Sequence, residues 1–133
     1  MKKILLFSVI CIVMLSNSRY TGNLSYSHDK TLKGLASWYS KKDRGVLKTT
    51  ANMELFDDEK LTCAMWNVPF GTVLQVTNSK NGKSIVVRVN DRGPARRLVR
   101  RGRIVDLTKE AFSRIADLKK GLVEVEITIL SSI

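Results

Sequence analysis

The sequence predicts a mainly β protein, a compact closed barrel of about six short strands with one or two short helices, and three observations carry that prediction. Short apolar or aromatic stretches recur at residues 35–39, 72–77, 84–90 and 122–130. The last of these alternates: Val123, Val125, Ile127 and Ile129 fall on one face and Glu124, Glu126 and Thr128 on the other, the period of a half-buried strand. Turn residues separate the stretches, with Asn81-Gly82 marking a hairpin and Gly93-Pro94 ending the strand before it. No internal repeat or low-complexity run interrupts this pattern, and 133 residues leave room for one domain.

The chain opens differently. Lys2 and Lys3 precede an apolar run over residues 4–15, and Ser16-Asn17-Ser18 follows with small residues, the order of a secretory signal peptide over residues 1–18. At a helical rise of about 1.5 Å per residue the run covers roughly 18 Å, short of the roughly 30 Å hydrocarbon core, so a cleaved signal is expected and no stable membrane span. Cys11 follows Ile10 and the apolar run continues past it, which argues against lipidation there. With Cys11 removed, Cys63 is the only thiol, which excludes an intrachain disulfide and a cysteine-based zinc cluster in the exported chain. The protein is expected to be periplasmic or secreted and associated with the cell wall.

Residues 19–33 lack an apolar period and read as a polar linker, so the barrel is expected over 34–133. The single histidine, His28, falls in this linker and reads as a solvated residue. Further on, Leu107, Ala111 and Ile115 recur at four-residue spacing, Thr108 can cap and Glu110 falls in the first turn, which predicts a short helix over 108–116 whose apolar face, with Phe112, covers the barrel.

Charge narrows the partners. The formal net charge is +11, and loss of Lys2 and Lys3 takes it to +9, which implies an anionic partner. An exported protein meets anionic wall polymers before it meets nucleic acid, so wall polymer is the expected partner, nucleic acid is not, and a monomer without cofactor or metal is expected.

The strand at 84–90 is rich in Ile and Val, and the Gly-Pro that stops it leaves Asn90, Asp91 and Arg92 at a rigid rim rather than on a wandering loop. An amide, a carboxylate and a guanidinium presented together form an active-site layout. Six arginines lie within residues 92–103, and Arg96 and Arg97 directly follow the rim, where guanidinium forks suit carboxylates or phosphates of a wall polymer. Trp38, Tyr39 and Trp66 offer faces for sugar rings, although barrel packing accounts for each equally well.

Residues 34–39 (Gly-Leu-Ala-Ser-Trp-Tyr), 50–56 (Thr-Ala-Asn-Met-Glu-Leu-Phe), 61–65 (Leu-Thr-Cys-Ala-Met), 69–72 (Pro-Phe-Gly-Thr), 81–83 (Asn-Gly-Lys), 89–94 (Val-Asn-Asp-Arg-Gly-Pro) and 103–111 (Arg-Ile-Val-Asp-Leu-Thr-Lys-Glu-Ala) fall in one order. In that order and spacing the chain resembles the rare lipoprotein A family over residues 34–130. The resemblance implies a six-stranded double-psi β-barrel and an endolytic lytic transglycosylase, which cuts peptidoglycan glycan strands without water and leaves 1,6-anhydro-muramyl ends. Asp91 matches the family's catalytic aspartate and Glu54 its second acidic residue.

Such a cut needs an acid for the leaving oxygen and then a base for the sugar's own 6-hydroxyl, and one carboxyl group can do both in turn. Asp91 is the expected acid that becomes the base, and Glu54 is expected to supply a neighbouring charge or steady the oxocarbenium-like transition state. Two positions depart from the family pattern: Met53 stands where it has glycine, and Met65 where it has a histidine on which its activity depends. Met65 is therefore expected at the groove with an altered role, since methionine neither donates a hydrogen bond nor titrates. The alternative reading is a non-catalytic wall-binding or wall-loosening module similar to expansins and barwin-like proteins on the same barrel.

Overall fold

The computed structural model describes residues 31–132. The signal peptide, most of the linker, Cys11 and His28 lie outside the described residues. Six strands close into one barrel: β1 (Leu32–Tyr39), β2 (Thr62–Ala64), β3 (Val73–Asn78), β4 (Ser84–Asp91), β5 (Arg103–Thr108) and β6 (Val123–Ser131). Around the barrel the order is β1, β5, β2, β4, β3, β6. Two neighbouring pairs, β1 with β5 and β2 with β4, run parallel, and the others run antiparallel.

Alternation builds the core. Leu74 and Val76 of β3, Val87 and Val89 of β4, Val105 and Leu107 of β5, and Val125 and Ile127 of β6 point inward and are buried. At roughly 25 cal/mol per Å² of apolar surface removed from water, each such side chain contributes on the order of 1.5–3 kcal/mol before chain entropy is set against it. Ala111 and Phe112 of the short helix α2 (Lys109–Ser113), and Ile115 just after it, are buried against this core. Thr108 caps α2 by accepting from the Ala111 amide.

The first strand begins at Leu32, two residues ahead of the expected boundary. The β3–β4 turn is longer than a two-residue hairpin: Thr77 pairs with Ser84, the Asn78 amide donates to the Lys83 carbonyl, and residues 79–82 make the turn. Gly82 supplies the left-handed backbone there, at φ 72°. The expected helix over 108–116 is shorter: Thr108 ends β5 and serves as the N-cap, and the helix stops at Ser113 with Arg114 as its C-cap. The arginine-rich stretch is not all loop, since residues Arg96–Val99 wind into the one-turn helix α1.

Candidate active site

One register position organises the site. Ala64 of β2 pairs with Asp91 of β4 on one side and with Asp106 of β5 on the other. Neighbouring strands lie about 4.8 Å apart, so the two aspartates stand roughly two strand spacings from each other across a single methyl group. Between Cys63 and Ala64 the β2–β4 register shifts, so Cys63 faces Val89, Ala64 faces Asp91, and Asn90 is left over as a bulge. A bulge of this kind re-aims the residue after it, here Asp91.

Both aspartates line one groove of about 640 Å³. Tyr39 and Ala64 lie with them, residues Arg44 to Met53 form one wall, and Arg92, Ala95 and Leu98 form the other. Gly93 keeps the floor open: a Cβ there would stand 3.2 Å from both Ala64 Cβ and Asp106 Oδ2.

The wall from Lys48 to Phe56 is a small hairpin. The Thr50 amide donates to the Glu54 carbonyl at 2.8 Å, the Phe56 amide donates to the Lys48 carbonyl at 2.8 Å, and Thr49 bridges Leu55. Its inward side is anchored by Phe56, which is buried and stacks on Tyr39 with ring centroids 4.6 Å apart. Its tip is stitched to the end of β4: Ala51 N donates to Asp91 Oδ1 at 2.9 Å and Asn52 N to the Asn90 carbonyl at 3.2 Å. Met53 closes this tip at φ 71°, a left-handed backbone that favours the glycine of the family pattern.

Three carboxyl groups sit in or beside the groove, in three settings. Glu54 forms a bidentate ion pair with Arg88, Nη1 to Oε1 at 2.6 Å and Nη2 to Oε2 at 2.9 Å, and accepts from Asn90 Nδ2 and Asn52 Nδ2. The Arg88 fork, then Asn90, hold its carboxyl down at about 2, so it is ionised at any physiological pH. Arg88 is raised in turn, first by that same hydrogen bonding. Asp106 is the opposite case. Burial raises its carboxyl above the ordinary range and the Asp91 charge adds to this, against the Ser37 hydroxyl, which donates to Oδ1, and Arg103. Asp91 accepts at Oδ1 from the Ala51 and Arg92 amides, the latter at 2.8 Å, and at Oδ2 from the Tyr39 hydroxyl at 3.4 Å. Burial, then the charge of Asp91, pushes the Tyr39 phenol far up, so it remains a donor.

Of the residues expected at the site, Asp91, Arg92 and Tyr39 line the groove. Glu54 does not; its carboxylate is turned to Arg88, Asn90 and Asn52. Asn90 is buried beneath the rim, where Nδ2 holds Glu54 and Oδ1 has no hydrogen-bond partner among the described residues. Met65 is buried in the core, and what it offers the rim is its carbonyl, which accepts from Arg92 Nη1 at 2.9 Å. Trp38 points the other way from Tyr39, as strand alternation requires, and packs on the core with Nε1 donating to the Leu118 carbonyl. Trp66 is covered by Arg96, whose guanidinium lies 3.8 Å from the ring centroid, and Arg92 stacks on Phe70 at the same distance. Arg97 is exposed outside the groove.

Asp106 was missed at the sequence level as a site residue. The signal was present: an acid between Val105 and Leu107 breaks an apolar strand on its outward face, opposite Ser37 in the β1–β5 register.

Barrel, register and groove define a class, the double-psi β-barrel with an acid-floored cleft at the strand ends. A family model described as lytic transglycolase matches residues 31–127, and the chain belongs to that family, the rare lipoprotein A type of this barrel. It is 40% identical over 100 residues to the probable endolytic peptidoglycan transglycosylase RlpA of Nostoc, covering 75% of this chain and 26% of that protein. To the endolytic peptidoglycan transglycosylase RlpA of Vibrio cholerae it is 43% identical over 101 residues, covering 76% of this chain and 36% of that protein. The chain thus spans well under half the length of these curated relatives. Among solved structures, a Streptomyces papain inhibitor superposes with a TM-score of 0.59 at 23% identity, over 77% of this chain and 96% of the inhibitor. An expansin of Clavibacter michiganensis superposes with a TM-score of 0.58 at 22% identity, over 76% of this chain and 50% of the expansin. These two likenesses concern the fold alone.

Proposed function

We propose that the chain is an endolytic lytic transglycosylase of peptidoglycan glycan strands, acting in cell-wall organisation. The observation that carries this reading is the pair of aspartates flanking Ala64 on the floor of one groove, one of them half-buried with its carboxyl raised. The activity named for its relatives supports it.

In this reading the proton belongs to Asp106 rather than to Asp91, because Asp106 is the half-buried carboxyl on the groove floor whose charged form is disfavoured by its burial and by the neighbouring Asp91 charge. Asp106 gives that proton to the glycosidic oxygen as the bond to the anomeric carbon breaks. Asp91, charged across the groove, steadies the oxocarbenium-like centre that develops. The 6-hydroxyl oxygen of the same sugar then closes on the anomeric carbon, and its proton returns to Asp106. Water does not enter, and the carboxyl ends as it began. Glu54, Arg88 and Asn90 act as positioning residues: they fix the hairpin tip whose Ala51 amide aims Asp91.

Residues 1–18 are read as the export signal, so the protein meets its substrate in the periplasm or at the wall. It is taken to act as a monomer, with its basic surface matched to wall anions rather than to nucleic acid. Among the described residues no helix is long and apolar enough to cross a membrane. The test is digestion of intact sacculi and of peptide-free glycan strands, with products read by mass spectrometry. Anhydro-muramyl ends are expected; binding to sacculi without any cleavage product assigns the protein instead to the wall-binding class.

A further inference from the structure

Two non-glycine residues among the described residues hold a left-handed backbone, Met53 at φ 71° and Asn67 at φ 63°. Asparagine tolerates this conformation because its short amide can bond locally, whereas methionine has no such bond to make and its Cβ crowds the following carbonyl. Strain of this kind persists only where the surroundings hold it, and it clusters at functional sites. The surroundings do hold Met53: its amide donates to the Thr50 carbonyl at 2.9 Å, and the Glu54–Arg88 ion pair ties the next residue to β4. What this backbone displays is an apolar side chain that is 78% exposed, so packing within the chain does not account for it.

Its position does. Met53 lines the groove of Asp91 and Asp106, two residues after the Ala51 amide that holds Asp91. Leu47, 74% exposed, lines the same wall. The aromatic residues suited to sugar rings are engaged elsewhere: Trp38 packs on the core and Trp66 lies under Arg96. Tyr39 reaches the groove, but its ring is stacked on Phe56. The most exposed large apolar surface of the groove is therefore aliphatic, and it lies on the hairpin wall.

We infer that Met53, with Leu47 beside it, is a substrate-binding residue that covers the C–H faces and acetyl methyl groups of the sugars lying over the aspartates. The inference rests on the transglycosylase reading for the identity of the strand. A pyranose ring carries its hydroxyls at the edge and C–H groups on its faces, and methionine, unbranched and polarizable, adapts to such an irregular surface. Position 53 thus gives this chain a contact with the strand that the glycine of the family pattern cannot make.

The test uses the whole chain and peptide-free glycan strands, and compares Met53→Gly, Met53→Leu and Leu55→Ser with wild type. Glycine adopts the left-handed backbone freely, so Met53→Gly should melt about 2–5 °C higher. Its affinity for strands should nevertheless fall about fivefold to tenfold, as expected for losing a partly covered methionine side chain. The loss should appear in KM more than in the rate at saturating strand. Met53→Leu keeps the apolar cover and should bind within about twofold of wild type. Leu55→Ser changes an equally exposed residue of the same hairpin outside this groove, and should bind as wild type does. Wild-type affinity in Met53→Gly, or a loss in Met53→Leu as large as in Met53→Gly, overturns the inference. A Met53→Gly variant that melts lower while it loses affinity assigns residue 53 to the shape of the hairpin and also overturns it. Self-association lost in Met53→Gly, with strand affinity unchanged, assigns the wall to a second copy with the same consequence. Because binding is read apart from cleavage, a protein that shows the Met53 dependence yet yields no anhydro-muramyl product contradicts the transglycosylase reading alone, and one that binds no strand overturns both.

Discussion

Glu54 and Asp106 are both acids of the same small region, and their surroundings treat them in opposite ways. Glu54 is more than a third exposed, yet a guanidinium fork and two amides hold it ionised down to about 2. Asp106 is half-buried on the groove floor, helped by one hydroxyl and opposed by the charge of Asp91, and its carboxyl rises. In the proposed reading, the acid held by a bidentate guanidinium positions the hairpin, and the acid with no such partner carries the proton. Sequence identity alone does not separate the two, since the environment of each is assembled from strands distant in the chain.

The largest effect is expected at the floor. Asp106→Asn should reduce turnover about a thousandfold, within the usual range for general acid-base groups, and Asp91→Asn about a hundredfold. The two should also differ in stability. A carboxyl raised on folding favours the folded state below its unfolded value and loses that contribution as pH rises through the folded value. Asp106→Asn should therefore melt at least as high as wild type at neutral pH, with any advantage gone near pH 3. A variant that keeps wild-type turnover breaks the assignment, and one that melts markedly lower at neutral pH breaks the environmental account.

Met65→His comes next. Its side chain position is buried among core residues, so a histidine there meets no established partner and should cost about 1–3 kcal/mol without any gain in rate. Thermal melting and product formation check both halves. A faster enzyme would mean that position 65 reaches the groove after all.

The Glu54 side of the comparison predicts a smaller effect. Glu54→Gln should destabilise by about 1 kcal/mol or less at neutral pH, because the pair is exposed and screened. Since the folded-state value is depressed, this contribution is present above the ordinary glutamate range and fades as pH falls toward about 2, where the melting curves of the two proteins should converge. Replacing Arg97, Arg100 and Arg101 by Gln is the mildest change. Binding to sacculi should weaken roughly threefold to tenfold and lose salt dependence, while the rate at saturating substrate stays the same.

Much of this was legible from the residues. The period-two strands at 73–78, 84–91 and 123–131 were, and so was the placement of Asp91, because apolar alternation and a Gly-Pro stop are local signals. Strand β2 was not, since three residues carry no period, and β5 was hidden because Leu107 fits both a strand and the helix that follows. The pairing of Glu54 with Arg88 and the flanking of Ala64 by two aspartates depend on register between strands remote in sequence, which no local pattern encodes. That is why the sequence showed neither the Arg88 partner of Glu54 nor the place of Asp106 on the groove floor.

The central claim is that the two acids titrate apart, and side-chain carboxyl carbon-13 NMR over a pH series measures it directly. The account predicts that the Asp106 resonance moves at a pH above the ordinary aspartate range, while Glu54 moves only near 2. An Asp106 carboxyl that titrates at or below the ordinary range would contradict it.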